Sequence, residues 1–261
     1  MADELVNSQT DLSKFTTEQI ANRLDAKYRG TLTTRIEAFK QGGKKVRVYC
    51  DGVFDCFHVG HARLLEQVKK IIPNVELVVG VCSDVDTYRE KGIMIMNEDE
   101  RLQSARHCKW TDEVYLPAPW EPTLEFLKSL NCDFLAHDAI PYGSGDVADV
   151  YAPIKEAGYF LPTLRSDGIS TSDIIKRVLA DRDEYFKRSV KKGLTPTDLS
   201  LDLYECFKFG LRPPQTNIIN KLINKVLDFK LVTKLDFLRS FSVKLVCPKK
   251  VQKSRFKLKA D

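Results

Sequence analysis

Two histidines at close spacing are the residues of this chain best suited to chemistry. His58 and His61 are two of only four histidines, and they follow the strand-like apolar run Val46–Cys50. In open α/β sheets, ligands bind just beyond the carboxyl ends of such strands. A second segment, residues 165–173, is a hydroxyl-rich turn that opens a predicted helix, where backbone N–H groups and the helix dipole favour phosphate. Together the two segments indicate a site for a nucleoside triphosphate.

Size and composition limit the classes of protein to consider. The 261 residues are 43% hydrophobic, enough for one good core plus appendages. No long apolar run and no signal-like N-terminus occurs, so we expect a cytoplasmic protein. The seven cysteines form an odd set without a C-x-x-C pair, which favours reduced, buried thiols and predicts no metal site.

The charge is unevenly distributed. Residues 216–261 contain ten Lys and two Arg against three Asp, a net charge of +9, which leaves −4 for the rest of a chain whose total is +5. Within residues 216–246, lysines alternate with dense apolar residues at helix-compatible spacing. One interpretation is an interfacial helix that binds anionic membranes peripherally; the other is a helix packed on the core or on a dimer partner. We favour the membrane and expect no nucleic-acid partner.

Strand-like and helix-like segments alternate through the middle of the chain. Strands are predicted over residues 46–50, 75–82, 113–116, 133–137 and 159–162, and helices over 62–71, 98–107, 123–130, 150–157 and 170–179. This rhythm predicts an α/β fold, a Rossmann-like parallel sheet with helices on both faces, followed by a helical C-terminal extension. We divide the chain into a poorly packed N-terminal arm (1–44), a catalytic domain (45–194) and a basic, partly amphipathic extension (195–261).

At this point the residues resemble a known family. Residues 51–63 (DGVFDCFHVGHAR) and 165–172 (RSDGISTS) are similar to the two signatures of the cytidylyltransferases, most closely those acting on choline phosphate. Four further similar stretches lie between them in the family's order: 118–120, 136–138, 140–142 and 149–151. The similarity covers about 46–194, and the dinucleotide fingerprint G-x-G-x-x-G is absent.

The resemblance implies a reaction between CTP and phosphocholine that yields CDP-choline and pyrophosphate. Because negative charge accumulates on the α-phosphate and the leaving pyrophosphate, we expect cationic donors to dominate the site. By resemblance, the catalytic residues are His58, His61, Lys91 and Arg165, and Lys91 bridges the phosphates of both substrates. Mg²⁺ is expected to accompany CTP, and a homodimer is expected because family members pair.

The resemblance also assigns binding residues. CTP would contact Gly52, Val53, Phe54, His58, His61, Lys109, His137, Asp138, Arg165, Gly168, Ile169, Ser170 and Thr171. A quaternary ammonium offers no hydrogen-bond donor and must be held by aromatic faces and a carboxylate. The choline-binding residues implied are Asp51, Trp120, Tyr142 and Tyr151.

Two departures from the family pattern leave alternatives open. Ala139 stands where the family has a second carboxylate, and Lys109 replaces an arginine, keeping the charge but losing the bidentate fork. The alternatives are a phosphoethanolamine or glycerol-phosphate cytidylyltransferase, and a weakly active membrane-binding regulatory homologue. A fragment of a class I aminoacyl-tRNA synthetase is disfavoured, since no further signature of that class is present.

Overall fold

A five-stranded parallel sheet forms the centre of the computed structural model, which describes residues 15–43, 45–143 and 148–211. The strands are β1 (Val46–Gly52), β2 (Val75–Cys82), β3 (Glu113–Ala118), β4 (Phe134–Asp138) and β5 (Phe160–Thr163). Their order is β3-β2-β1-β4-β5, and every neighbouring pair is parallel. The apolar runs are continuous because parallel strands are covered on both faces. The predicted Rossmann-like class is confirmed.

The helices connect the strands and complete the layers. They are α1 (Thr17–Ala21), α2 (Ala26–Gly42), α3 (Val59–Ile71), α4 (Asp84–Glu90), α5 (Glu98–Arg106), α6 (Leu124–Ser129), α7 (Ala152–Glu156), α8 (Thr171–Ala180), α9 (Arg182–Lys191) and α10 (Leu203–Lys208). Right-handed crossovers place the connections from β1 through β3 on one face and those from β3 through β5 on the other. The direction of travel reverses between β1 and β4, which opens a crevice at their carboxyl ends.

The interpretation of residues 1–44 as a poorly packed arm is wrong for the described part, 15–43. A capping box between Thr16 and Gln19 begins α1, and Ile20, Leu32 and Ile36 are fully buried in the main core. The turn between α1 and α2 also contacts the sheet, since Arg23 Nη1 donates a hydrogen bond to the Pro162 carbonyl of β5 at 3.0 Å. Polar residues scattered along α1 and the 17-residue α2 concealed their buried positions.

The chain divides into two compact units, Met1–Lys176 and Arg177–Asp261. In the second unit, α9 and α10 are joined by ion pairs of Arg182 with Glu205 and of Lys208 with Asp183. The predicted boundaries at 44/45 and 194/195 stay predictions.

Several sequence-based expectations concern features outside the site. The predicted membrane-binding segment 216–246 and Cys247 lie outside the described residues. The other six cysteines carry free thiols, as predicted; four are buried, and Cys56 and Cys108 are partly exposed. No helix in ranges 15–43, 45–143 and 148–211 combines the length and apolarity that crossing a membrane requires.

Candidate active site

The two histidines form one structural unit at the start of α3. His58 is the N-cap residue, and its Nδ1 accepts a hydrogen bond from the Gly60 N–H at 3.1 Å. The His61 Nδ1 faces the His58 N–H at 3.4 Å, which closes a capping box, and the two rings stack with centroids 3.8 Å apart. Each Nδ1 faces a backbone N–H and acts as a hydrogen-bond acceptor. The neutral imidazole therefore carries its proton on Nε2. Each imidazole can therefore donate a hydrogen bond to a ligand.

Gly60, in the turn between the two histidines, must be a glycine because the His58 ring lies directly against its backbone. A Cβ atom at Gly60 would lie 2.8 Å from Cε1 and 2.9 Å from Nδ1 of His58, and 3.2 Å from Cγ2 of Ile169. The backbone must approach the imidazole this closely for the Gly60 N–H to reach Nδ1. Ile169, a predicted CTP contact, therefore lies beside the histidine turn.

Both imidazoles are neutral at neutral pH. Burial lowers the pKa of His58, and burial together with His58 and Lys91 lowers the pKa of His61 to about 3. The expectation of cationic donors therefore applies to Lys91 and Arg165 and not to the two histidines. They act as dipolar N–H donors, and the positive charge comes from Lys91 and Arg165.

Thr171 connects the two sequence signatures. Its hydroxyl donates to the Asp55 carbonyl at 3.0 Å, and its Oγ1 lies 3.5 Å from Nε2 of His58. The preceding Ser170 caps α8, since the Asp173 N–H donates to the Ser170 Oγ at 3.1 Å. The start of α8 and the start of α3 therefore meet, as a shared phosphate site requires.

The two predicted cations follow different elements, α4 and β5, and their charges interact. Lys91 follows α4 directly, and its pKa is lowered, first by burial and then by Arg165. The Lys91 side chain is nevertheless exposed to solvent. Arg165 follows β5, is 66% exposed, and donates from Nε to Asp138 Oδ2 at 3.2 Å. Asp138, a predicted CTP contact, thus orients Arg165, one of the cations predicted to bind phosphate.

A pocket of about 60 Å³ lies beyond the carboxyl ends of β1, β2 and β4. Its lining includes all four predicted choline-binding residues together with Lys91: the full set is Asp51, Gly52, Val53, Cys82, Lys91, Trp120, His137, Tyr142 and Tyr151. The rings of Trp120 and Tyr142 are 6.0 Å apart, and those of His137 and Tyr151 are 4.7 Å apart.

A buried carboxylate forms the floor of this pocket. Asp51 is 4% exposed and accepts a hydrogen bond from the Tyr151 hydroxyl at 3.2 Å. Burial raises the pKa of Asp51, while His137 and the Tyr151 hydrogen bond oppose that rise. A carboxylate surrounded by aromatic rings is an arrangement suited to an organic cation.

The remaining predicted CTP contacts are less closely placed. Gly52 and Val53 line the pocket, whereas the Phe54 side chain is 2% exposed and packs edge-on against His61, with centroids 5.3 Å apart. Gly168 has a φ of +69°, a conformation that favours glycine in this turn. Lys109 is exposed, with its ammonium 4.6 Å from the centre of the Trp110 ring. Their roles stay predictions.

Sequence reasoning missed two residues that support the site. Asp55 is 7% exposed and accepts from the N–H groups of Ile95 and Met96, which fixes the loop after Lys91 beside the histidine turn. Arg101 is fully buried, donates to the Val53 carbonyl at 2.7 Å and pairs with Asp84. The available signal for Arg101 was its position in the helix predicted over residues 98–107, four residues before Ala105, which is buried.

Comparison with known proteins agrees with this geometry. Residues 49–177 match the family model described as cytidylyltransferase-like. The chain is 50% identical over 170 residues to a probable choline-phosphate cytidylyltransferase of Schizosaccharomyces pombe, covering 65% of this chain and 47% of that protein. It is 48% identical over 185 residues to human choline-phosphate cytidylyltransferase A, covering 71% and 49%.

A more distant relative has a different name. The ethanolamine-phosphate cytidylyltransferase of Dictyostelium discoideum is 44% identical over 136 residues, covering 52% of this chain and 37% of that protein. The chain spans about half the length of the choline-phosphate cytidylyltransferases it matches. The five-stranded parallel fold, the paired signatures and these relationships agree: residues 49–177 of this chain belong to the cytidylyltransferase-like family.

Proposed function

We propose that this chain transfers the cytidylyl group of CTP to phosphocholine, giving CDP-choline and pyrophosphate for phosphatidylcholine synthesis. The pocket that joins Asp51 and three aromatic rings to Lys91 carries the proposal. Phosphocholine has a quaternary ammonium at one end and a phosphate at the other. Aromatic faces and a carboxylate suit the first group, and an ammonium suits the second.

The proposed reaction is an in-line displacement. A phosphate oxygen of phosphocholine forms a bond to the α-phosphorus of CTP as the bond from that phosphorus to the pyrophosphate oxygen breaks. The nucleophile is already anionic, so no proton has to be removed from it. The Nε2–H groups of His58 and His61 donate hydrogen bonds to the phosphate oxygens that gain charge. The neutral imidazoles can do so without taking up or releasing a proton. Lys91 and Arg165 supply the compensating positive charge.

Mg²⁺ is proposed to enter with CTP as its triphosphate complex. In ranges 15–43, 45–143 and 148–211, no three His, Cys, Asp or Glu side chains cluster closely enough to hold a metal ion. The described residues therefore do not fit a resident metal site. A triphosphate binds Mg²⁺ through its own oxygens and needs few protein ligands.

A substrate panel tests the proposed function. The protein, CTP and Mg²⁺ are incubated with phosphocholine, phosphoethanolamine or glycerol phosphate, and the CDP product is quantified. We expect phosphocholine to give the highest kcat/KM. A preference for phosphoethanolamine would favour the activity for which the Dictyostelium relative is named. If none of the three CDP-linked products formed when anionic lipid was added to the assay, a regulatory homologue would be favoured.

Trp120→Ala tests the aromatic pocket directly. The loss of one ring from a cation site weakens binding by about 0.5–2 kcal/mol, so we expect the KM for phosphocholine to rise about tenfold while the KM for CTP stays unchanged. Trp110→Phe is the matched control, because Trp110 is absent from the pocket lining. An unchanged phosphocholine KM in Trp120→Ala would contradict the assignment of this pocket to choline.

Two proposals about assembly rest on the sequence and the family. We propose that the protein is a homodimer, to be tested by light scattering of the full chain.

We also propose that residues 216–246 bind anionic membranes, which makes the protein cytoplasmic with a peripheral membrane-bound fraction. Each basic residue near such a surface contributes about 1 kcal/mol before screening. Salt-sensitive sedimentation with anionic vesicles, lost on deletion of residues 216–261, is the expected result; unchanged binding would contradict it.

A further inference from the structure

Lys155 is a buried cation outside the pocket lining. It lies on α7, is 4% exposed, and its ammonium is 2.7 Å from Asp149 Oδ2. The same ammonium donates to the Ala139 carbonyl at 3.2 Å and lies 4.8 Å from the centre of the Phe160 ring. A buried lysine is retained only with partners that compensate its charge. The partners found here belong to the segments that carry two of the pocket aromatics.

Asp149 passes this constraint on to both tyrosines. While Oδ2 pairs with Lys155, Oδ1 accepts from the backbone N–H of Tyr151 at 3.1 Å and faces that of Tyr142 at 3.4 Å. The Val150 N–H also donates to the Tyr142 carbonyl at 2.9 Å. One carboxylate therefore fixes the backbone of two pocket residues that are nine positions apart.

Lys155 also holds the chain just after β4. That strand ends at Asp138, and the Ala139 carbonyl that follows is tied to α7 by the ammonium. The Ala139 side chain packs against the core. The backbone of residue 139 thus receives a specific contact although its side chain carries no carboxylate.

From these contacts we propose that Lys155, acting through Asp149 and the Ala139 carbonyl, is a positioning residue that sets the spacing of the aromatic pocket and thereby its affinity for the choline group. The inference rests on the proposed function for the identity of the ligand. A change at Lys155 should affect the choline pocket and spare the histidine turn. His58, His61 and Thr171 are held by other contacts, those of the α3 capping box and the Asp55 carbonyl.

Lys155→Met tests the inference, with Lys69→Met as the matched control. Lys69 likewise bridges an Asp carboxylate and a backbone carbonyl, those of Asp112 and Val75, both at 2.6 Å, but at the amino-terminal edge of the sheet. We expect Lys155→Met to raise the KM for phosphocholine on the order of tenfold, since displaced rings weaken the cation contacts, with the KM for CTP unchanged. Lys155→Arg, which retains the charge, should recover most of the affinity.

The alternative is a role in stability alone. In that case Lys155→Met would lower Tm as Lys69→Met does and leave the phosphocholine KM at the wild-type value, which would overturn the inference. Should Lys155→Met fail to fold, Asp149→Asn replaces it as the deciding variant. It keeps an oxygen for the two tyrosine N–H groups but loses the ion pair, and a selective rise in phosphocholine KM is again expected.

A binding measurement separates this inference from the proposed function. Phosphocholine is titrated against the full chain while its tryptophan fluorescence is recorded. Wild-type binding that weakens in Lys155→Met, without CDP-choline formation by either protein, would uphold the positioning role and reject the proposed reaction. Wild-type turnover with equal phosphocholine affinity in the two proteins would reject the positioning role alone. Absence of wild-type binding would reject both.

Discussion

Both the amino-terminal and the carboxyl-terminal edge of the central sheet carry a lysine and an arginine, but the two edges differ in how fully these cations are paired with carboxylates. At the amino-terminal edge, Arg47 pairs with both Glu76 and Glu113, and Lys69 pairs with Asp112. At the carboxyl-terminal edge, Arg165 contacts a single carboxylate through one nitrogen and is 66% exposed. Lys91 has no ion-pair partner among residues 15–43, 45–143 and 148–211.

This difference separates structural charges from charges available to a ligand. A cation with two close acceptors has little left to gain from a phosphate, whereas an uncommitted one gains a full charge-assisted hydrogen bond. Composition and local sequence do not reveal the distinction, since Lys69 and Lys91 are both lysines near the end of a helix.

Exchanging the two lysines for neutral residues gives the largest expected effect. Lys91→Met should lower kcat/KM by about 10²–10³, the typical loss when one donor to a developing charge is removed, with little change in stability. Lys69→Met should leave kcat/KM unchanged but lower the free energy of unfolding by about 0.5–1.5 kcal/mol, because the Asp112 carboxylate, 41% exposed, and the Val75 carbonyl lose their donor. Steady-state kinetics and urea denaturation measure the two quantities. Equal kinetic effects of the two substitutions would remove the distinction between the edges.

The low pKa of His61 predicts an acid-sensitive carboxyl-terminal edge. Because the unfolded chain binds a proton near pH 6.5 and the folded site binds it only near pH 3, stability contributed by neutral His61 is present above pH 6.5 and is lost as the pH falls. Between pH 7 and 5 the wild-type protein should lose about 1–2 kcal/mol through this residue. His61→Gln should lose correspondingly less.

Exposed His107, which ends α5, provides the control for this measurement. Urea denaturation of His107→Gln at both pH values should reproduce the wild-type loss. If His61→Gln also reproduced it, His61 could not be the source of the acid sensitivity.

The smallest expected effect concerns Lys109. A guanidinium can bind phosphate through two parallel N–H groups, so Lys109→Arg should lower the KM for CTP about threefold and leave that for phosphocholine unchanged. An unchanged KM for CTP would mean that residue 109 serves by stacking on Trp110, as its ammonium does here. Of the three predicted cations Lys91, Lys109 and Arg165, only Lys91 and Arg165 would then serve the phosphates.

Much of the fold could be predicted because its strands are buried on both faces. Such strands appear as continuous apolar runs, and β2 was predicted with its observed bounds, Val75–Cys82. Helices α1, α2, α4 and α9 were missed. Polar residues interrupt the buried positions of the first three, and α9 has no buried residue. Helix α4, over Asp84–Glu90, buries only Thr87 and begins with a Ser83 cap that resembles an ordinary turn.

The candidate site was predictable in its membership and not in its electrostatics. Motif resemblance brought Asp51, Trp120, Tyr142 and Tyr151 to one pocket. It did not reveal that the histidines are neutral, because that state depends on burial and on ring stacking. Nor did it reveal Lys155, whose importance depends on contacts with backbone groups far from it in sequence.

The tight turn at the start of α3 assigns unequal freedom to the two residues between His58 and His61. Val59 is 58% exposed, so its side chain meets water and could be exchanged for nearly any residue that tolerates a helix start. Gly60 has no such latitude, because any side chain there would push the imidazole off the amide that orients it. The four-residue pattern His58–His61 therefore reflects a steric requirement as well as a chemical one. A single methyl group at Gly60 would displace the His58 imidazole from the position in which it can donate a hydrogen bond.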